Sequence, residues 1–150
     1  MNEKWVSLIR KSQKLLDDTI AGDEESVAKA IAEVRDTEYA PTFYNDEKAL
    51  RYVVKFAYIA AVGHYIKVEE IPSGHGIADV VYIPKPRSPY PALLIELKWN
   101  KSSEGAIRQV REKNYPAVLK DYGGDILLAG INYDEKTGQH SCRIEKLCLL

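Results

Sequence analysis

The sequence predicts an α/β protein with a mixed central sheet, and three features of the chain lead to this prediction. The first third carries apolar residues at helical spacing, whereas several later runs are short, β-prone and separated by turn residues. One more helical run lies between the third and fourth strands and is long enough for a crossover between parallel neighbours. The predicted order of elements is therefore α-α-α-β-β-β-α-β-β.

Two helices are predicted before the sheet. The first begins at Glu3, and Gly22 can end it because glycine adopts the left-handed conformation readily. Asp23 can then cap a second helix with its side-chain carboxylate. We expect an N-terminal helical segment over residues 1–44, followed by a domain over residues 45–150.

The third helix has the strongest pattern and is predicted within "DEKALRYVVKFAYIAAV", with Asn45 as its N-cap and Gly63 as its left-handed end. Glu47 precedes Leu50 and Val54 by three and seven residues, so it is expected on the buried stripe of the helix. An acid in such a place needs a reason, although an acid near a helix N-terminus also interacts favourably with the helix dipole.

Three strands follow, in "YIKVEEI", "IADVVYIP" and "ALLIELKW". Alternate side chains of a strand point to opposite faces, so Glu96 and Lys98 share one face of the third strand and Leu97 lies on the other. Asp79 joins them if the loop "KPRSPYP" lets the second and third strands pair with Asp79 facing the Glu96 side. The three charges would then interrupt two apolar strands at one place.

The C-terminal third is predicted to hold one helix and two strands. The helix begins near Glu104, capped by Ser102 or Ser103, and Pro116 is expected to kink or end it. The stretches "DILLAGINYD" and "SCRIEKLCLL" form a strand pair around the turn "EKTGQ".

Composition indicates a globular protein without a membrane role. Of the 150 residues, 45% are hydrophobic and 29% are charged, and no apolar run is long enough to span a bilayer. The N-terminus lacks the pattern of a secretory signal. Cys142 and Cys148 are too few for a disulfide framework and suit a reducing compartment, so we expect free thiols and a cytoplasmic location.

The net charge of -1 gives no overall basic surface of the kind that coats nucleic acid, so any site for a polyanion must be local. One candidate is the basic run from Lys98 to Lys113, in which Lys101 and Arg108 are expected to contact substrate. The alternative for this run is a solvated helix face.

The charges on the second and third strands have the chemistry that phosphodiester hydrolysis requires. Mg²⁺ prefers oxygen ligands and keeps several waters, so the two carboxylates of Asp79 and Glu96, with a substrate phosphate, would suffice to hold it. A lysine on the same surface, such as Lys98, can orient or help deprotonate the attacking water, or offset charge that develops on phosphorus. The alternative for Glu96 and Lys98 is an ordinary same-face pair on a solvated sheet.

Other catalytic or metal motifs are not supported. A zinc site is not expected, because there is no Cys-x-x-Cys pair and His64 and His75 are far in sequence from His140. The glycines of "PSGHGIAD" are interpreted as turn residues, and the chain has no Walker A motif with which to bind ATP.

Asp79 followed by Glu96-Leu97-Lys98, with the acid Glu47 upstream in a helix, resembles the PD-(D/E)XK nuclease superfamily. The order of elements from about residue 45 to 133 is similar to the αβββαβ core of that superfamily, the restriction-endonuclease-like fold, here with extra N-terminal helices and a C-terminal strand. Four stretches, "YNDEKALRYVVKFAY", "GIADVVYIP", "LLIELKW" and "AIRQVREKNY", resemble the nuclease-like domain that follows an AAA-ATPase-like region in many prokaryotic proteins.

The resemblance implies roles for individual residues. Asp79 and Glu96 would bind Mg²⁺ or Mn²⁺, Lys98 would be the catalytic lysine, and Glu47 would be an accessory acid acting through a second metal ion or a water. Three further residues match a Gln-x-x-x-Lys-x-Tyr pattern that would support the site or the scissile phosphate: Gln109, Lys113 and Tyr115.

The resemblance implies a metal-dependent nuclease that acts on DNA in preference to RNA, with an AAA-ATPase-like region of the same polypeptide as a partner. The alternative is a catalytically degenerate domain that keeps the fold and serves as a binding or regulatory module. Near-neutral charge motivates it, and so does Ile77, which stands where related domains often have a basic residue. A further departure from the family pattern is Ala78-Asp79 in place of Pro-Asp. A homodimer formed through the two N-terminal helices is a further expectation.

Overall fold

The computed structural model describes residues 2–38, 44–73, 76–112 and 124–147. Within these ranges it does not describe the side chains of residues 38, 67–73, 76–79, 109–112 and 147. The helices are α1 (Glu3–Ala21), α2 (Glu24–Glu38), α3 (Glu47–Ala57) and α4 (Ser103–Glu112), with a short 3₁₀ helix at Ile59–Gly63. The strands are β1 (Tyr65–Ser73), β2 (Gly76–Pro84), β3 (Ala92–Trp99), β4 (Ile126–Asp134) and β5 (Gln139–Leu147). The predicted order of helices and strands is confirmed.

The five strands form one mixed sheet in the order β1-β2-β3-β4-β5. β3 and β4 are parallel, because α4 carries the chain back across the sheet between them, and the other neighbours are antiparallel. The mixed α/β fold predicted from the sequence is therefore confirmed. Among the described residues, no helix has the length and apolar character needed to cross a bilayer.

Alternate strand residues pack into two separate hydrophobic clusters, one on each face of the sheet. Leu93, Ile95 and Leu97 of β3 belong to the larger cluster, which includes side chains of α1, α2 and α3. Leu94 of β3 packs in the smaller cluster with Ile107 of α4. We call these the α1–α3 face and the α4 face.

The two N-terminal helices share the larger core with the rest of the chain. Leu16 of α1 and Ile31 of α2 are fully buried in the same cluster as Leu97. The Thr19 hydroxyl is 2.7 Å from the Tyr58 hydroxyl, which links α1 to the end of α3. The division of the chain at residue 44 stays a prediction, and one hydrophobic core extends across it.

Several predicted helix boundaries are confirmed. Gly22 ends α1 in the left-handed conformation with φ of 79°, and the Asp23 carboxylate accepts a hydrogen bond from the backbone N–H of Ser26 at the start of α2. Ser102 caps α4, because its hydroxyl accepts from the backbone N–H of Gly105 at 2.9 Å. Pro116 lies outside the described residues.

Both predicted boundaries of α3 are wrong. Its N-cap is Asp46 and not Asn45, because the Asp46 carboxylate accepts from the backbone N–H of Ala49 at 2.9 Å. The α-helix ends at Ala57, and Gly63 closes the 3₁₀ helix without entering the left-handed region.

The early end of α3 has a tertiary cause, which is Ser12 of α1. The hydroxyl of Ser12 donates to the carbonyl of Ala57 at 2.6 Å and accepts from the backbone N–H of Ala60 at 2.9 Å. Both backbone groups would otherwise form hydrogen bonds along the helix, and the Ser12 side chain replaces their helical partners.

Candidate active site

Glu96 and Lys98 form a charged pair on the α4 face of β3. The Glu96 side chain is 0% exposed and the Lys98 side chain is 18% exposed, and Lys98 Nζ lies 3.6 Å from Glu96 Oε1. This distance gives a Coulombic pair and is longer than an ordinary N–H···O hydrogen bond. Burial strengthens the attraction because less water screens the two charges.

The position of Asp79 is opposite Glu96 in the backbone register. β2 and β3 are antiparallel, with Asp79 paired to Glu96 and Val80 paired to Ile95. Directly opposed residues of an antiparallel pair share a face of the sheet. The backbone therefore brings the Asp79 and Glu96 positions together, while the Asp79 side chain is outside the described part of the structure.

β4 supplies two residues beside the charged pair that the sequence interpretation missed. In the parallel register, Gly130 lies next to Glu96 and Asn132 lies next to Lys98. A glycine inside an apolar strand often marks a close approach of backbone, and that signal could have identified Gly130. No comparable signal identifies Asn132, because its position beside Lys98 depends on the register between β3 and β4.

Gly130 lets α4 approach the sheet closely beside Glu96. A Cβ atom on Gly130 would lie 2.5 Å from the carbonyl oxygen of Ser103 and 2.9 Å from the Cβ of Ala106. Such contacts are too short for any larger residue without movement of α4. The first turn of α4 is therefore held directly against the strand that neighbours Glu96.

Asn132 is a buried polar residue on the same face, with 5% of its surface exposed. Its Oδ1 accepts a hydrogen bond from the backbone N–H of Lys101 at 2.9 Å. This contact connects β4 to the turn that joins β3 to α4.

Glu47 lies in the first turn of α3, and its side chain is half-buried where the sequence predicted a place on the buried stripe. α3 packs on the α1–α3 face, whereas Glu96 lies on the α4 face. The start of α3 is nevertheless at the end of the sheet where β3 ends, because the Tyr44 ring lies 5.3 Å from the Trp99 ring. Glu47, in the first turn of α3, is therefore near that end of the sheet.

The remaining predicted site residues fall in two groups. The side chains of Lys101 and Arg108 are exposed at and after the β3–α4 turn. Gln109 lies in α4 with its side chain outside the description, and Lys113 and Tyr115 lie outside the described residues altogether.

An aromatic cluster at the end of the α1–α3 face surrounds His140. Tyr44, Tyr133 and Trp99 pack against one another, and the Tyr44 hydroxyl is 2.6 Å from His140 Nε2. The Arg35 guanidinium lies 5.2 Å from the centre of the Tyr44 ring. Burial, and secondarily the charge of Arg35, lowers the pKa of His140 to about 4. His140 is thus a neutral packing residue in this cluster.

The donor chemistry of the α4 face fits a hard divalent cation. Glu96 is a fully buried carboxylate paired with Lys98, and the opposed position holds a second acid, Asp79, so the two positions offer the oxygen ligands that such a cation prefers. Among the side chains that the structure describes, no three His, Cys, Asp or Glu residues group together in a way that could hold a metal ion. A cation would therefore depend on Glu96 together with Asp79.

Comparison with known proteins identifies the family. A search of curated proteins finds no match. A sequence model described as the PD-(D/E)XK nuclease superfamily matches residues 45–142, which span α3, all of β1 to β4 and the positions of Asp79, Glu96 and Lys98. The five-stranded mixed sheet with helices on both faces is consistent with the restriction-endonuclease-like fold. The match extends over well more than half of the chain, and the protein belongs to the PD-(D/E)XK nuclease superfamily.

Proposed function

We propose that this protein is a metal-dependent nuclease that hydrolyses phosphodiester bonds in DNA. The observation that carries the proposal is the buried Glu96 carboxylate, with Lys98 Nζ at 3.6 Å and the Asp79 position directly opposite. Membership of a superfamily of nucleases supports the reaction class. The preference for DNA over RNA rests on the sequence resemblance.

The residues of the α4 face would divide the work between metal binding and charge stabilisation. Asp79 and Glu96 would hold Mg²⁺ or Mn²⁺, which when bound supplies a Lewis acid and lowers the pKa of a water molecule. Lys98 would place a positive charge beside the phosphate, where negative charge develops during attack. Glu96 and Lys98 lie close together on one strand, so both groups would act on the same phosphate.

Residues around the pair would bind the substrate. Lys101 and Arg108 have exposed cationic side chains suited to contact phosphates of the nucleic-acid backbone. We retain Gln109, Lys113 and Tyr115 as supports of the scissile phosphate, on the strength of the sequence pattern. Glu47 is retained as an accessory acid that acts from the end of the sheet.

The cellular setting is also part of the proposal. A cytoplasmic location is supported by the low number of cysteines, which suits a reducing compartment. An AAA-ATPase-like region as partner and a homodimer through the N-terminal helices rest on the sequence resemblance and on the helical pattern respectively.

A catalytically degenerate binding domain is the second candidate. Ile77 in place of a basic residue favours it, and so does the net charge of -1, since both reduce attraction to a polyanion. A degenerate domain would retain the fold and lose affinity for the metal ion, so metal binding separates the two candidates.

The test is cleavage of a labelled DNA duplex in matched Mg²⁺ and Mn²⁺ buffers. Glu96→Gln and Lys98→Met should each lower the cleavage rate by about 100-fold or more, because each removes one group that acts in the transition state. Glu25→Gln and Lys29→Met are matched controls, since they make the same charge changes at exposed positions of α2. Circular dichroism would verify that every variant is folded.

Calorimetric titration with Mn²⁺ completes the test. The parent should bind Mn²⁺ and Glu96→Gln should bind it more weakly. Equal cleavage by parent and both site variants would refute the proposed nuclease site. A parent that neither cleaves nor binds Mn²⁺ would instead support the degenerate domain.

A further inference from the structure

Asn132 is a buried polar residue near the end of β4, and it belongs to neither hydrophobic cluster. Its position in β4 is next to Lys98, and its neighbours Ile131 and Tyr133 face the other side of the sheet. Burying a carboxamide costs free energy unless hydrogen bonds compensate for the lost water. A buried asparagine on this face therefore indicates a specific contact.

The contact that Asn132 makes fixes the turn between β3 and α4. Its Oδ1 accepts from the backbone N–H of Lys101 at 2.9 Å, one residue before Ser102, the N-cap of α4. The preceding residue, Asn100, is in the left-handed region with φ of 55°, and its backbone N–H donates to the carbonyl of Tyr133 at 2.8 Å. The turn is thus attached to β4 on both sides of the left-handed residue.

The same turn carries the exposed cation Lys101. It is followed at once by the first turn of α4, which Gly130 holds against the strand beside Glu96. Asp79 and Glu96 lie on β2 and β3, which pair directly with each other and do not depend on this turn. A change in the turn should therefore move Lys101 while leaving the metal ligands in place.

We propose that Asn132 is a positioning residue for DNA binding, which holds the β3–α4 turn so that Lys101 faces a phosphate of the strand bound at Glu96 and Lys98. This inference rests on the proposed nuclease function. It assigns to Asn132 a role in substrate affinity and none in metal affinity.

Binding of a fluorescein-labelled DNA duplex in Ca²⁺, followed by anisotropy, tests the role without requiring cleavage. Asn132→Ala should raise the Kd for DNA by about 10-fold, because misplacement of a binding group by about 1 Å weakens its contact strongly. The affinity for Mn²⁺, measured by calorimetry, should stay within about twofold of the parent, since neither proposed ligand moves. Amide hydrogen exchange at Lys101 should become faster, and exchange at Ile95 and Ala129 should not.

Two further variants keep the test decisive. Asn132→Ser retains a polar side chain in the buried site if the alanine variant does not fold, and its shorter hydroxyl should give a smaller rise of the same kind in Kd. Thr19→Val is the control for lost stability, because it removes a buried side-chain hydrogen bond on the α1–α3 face. It should leave the Kd for DNA unchanged.

The outcomes separate this inference from the proposed function. Unchanged DNA affinity in both Asn132 variants, with a parent that binds DNA, would overturn the positioning role and leave the nuclease site standing. A fall in Mn²⁺ affinity as large as the fall in DNA affinity would also overturn it. A parent that binds neither DNA nor Mn²⁺ would overturn both.

Discussion

The two faces of the central sheet differ most at the end of β3. On the α1–α3 face, Leu93, Ile95 and Leu97 are all fully buried in apolar surroundings. On the α4 face, the apolar residues stop at Leu94 and the charged Glu96 and Lys98 follow. A single strand therefore contributes to a continuous core on one side and carries a buried charged pair on the other.

This difference indicates how the fold combines stability with chemistry. Helices α1, α2 and α3 cover the α1–α3 face, and their apolar side chains pack with strand residues in the larger of the two clusters. A buried charged pair contributes little net stability, because loss of hydration offsets the attraction between the charges. We infer that the α4 face can hold Glu96 and Lys98 because the opposite face supplies most of the stability.

The largest expected effect comes from changing neighbours on β3 that face opposite ways. Leu97→Ala should lower the free energy of unfolding by about 2–5 kcal/mol, because it leaves a cavity in the larger core. The double variant Glu96→Met with Lys98→Met should be as stable as the parent or more stable, because it replaces a buried pair by apolar groups of similar size. Urea unfolding would measure both. A loss in the double variant equal to that in Leu97→Ala would contradict the contrast between the faces.

The second prediction concerns pH and the aromatic cluster at the end of the α1–α3 face. The pKa of His140 is lowered from 6.5 to about 4, first by burial and then by the charge of Arg35, with Asp36 opposing. Between these values the unfolded chain binds a proton that the folded state does not, so stability is full above pH 6.5 and falls as the pH is lowered toward 4. We expect a loss of about 1–3 kcal/mol from this residue across that window.

The variant His140→Gln isolates the contribution of the imidazole. It keeps a polar group near the Tyr44 hydroxyl and removes the titration, so its stability should fall less between pH 6.5 and pH 4 than that of the parent. Denaturant unfolding at several pH values gives the slope of the unfolding free energy against pH for the parent and for the variant. Identical slopes would show that other groups cause the pH dependence.

The third prediction tests how closely α4 must approach the α4 face. Gly130→Ala should lower the free energy of unfolding by about 1–3 kcal/mol, because the new Cβ meets the Ser103 carbonyl and forces the helix away. The same change at Gly63, where no atom lies within 4 Å of the added Cβ, is the control. Thermal unfolding would show a clear loss at Gly130 and little change at Gly63.

Features set by local spacing could be predicted from the sequence. The alternation along "ALLIELKW" gives the faces of Glu96 and Lys98 without any tertiary information, because a strand has a period of two. The parallel pairing of β3 and β4 follows from the intervening helix, and the left-handed end of α1 follows from Gly22.

Features set by contacts between distant elements could not be predicted in this way. α3 ends at Ala57 because Ser12, 45 residues earlier, bonds its carbonyl. Asn132 is beside Lys98 only because of the register in which β4 pairs with β3. Helical periodicity placed Glu47 on the apolar stripe of α3. The periodicity of a helix cannot indicate which face of the sheet that helix covers, and α3 covers the face opposite Glu96.

The smallest expected effect distinguishes two adjacent residues at the start of α3. Asp46→Ala should lower the free energy of unfolding by about 1 kcal/mol, because it removes the carboxylate that accepts from the backbone N–H of Ala49. Asn45→Ala should change it by less than about 0.5 kcal/mol, as is usual for an exposed residue outside a cap. Urea unfolding of both variants measures the difference.

Because α3 begins at the end of the sheet where Tyr44 contacts Trp99, a cap at Asp46 also fixes Glu47 at that end. A larger loss from Asn45→Ala would mean that Asn45 is the N-cap and that the helix begins one residue earlier. Glu47 would then be the second helical residue after the cap and not the first, a change of about 100° around the helix axis relative to the cap.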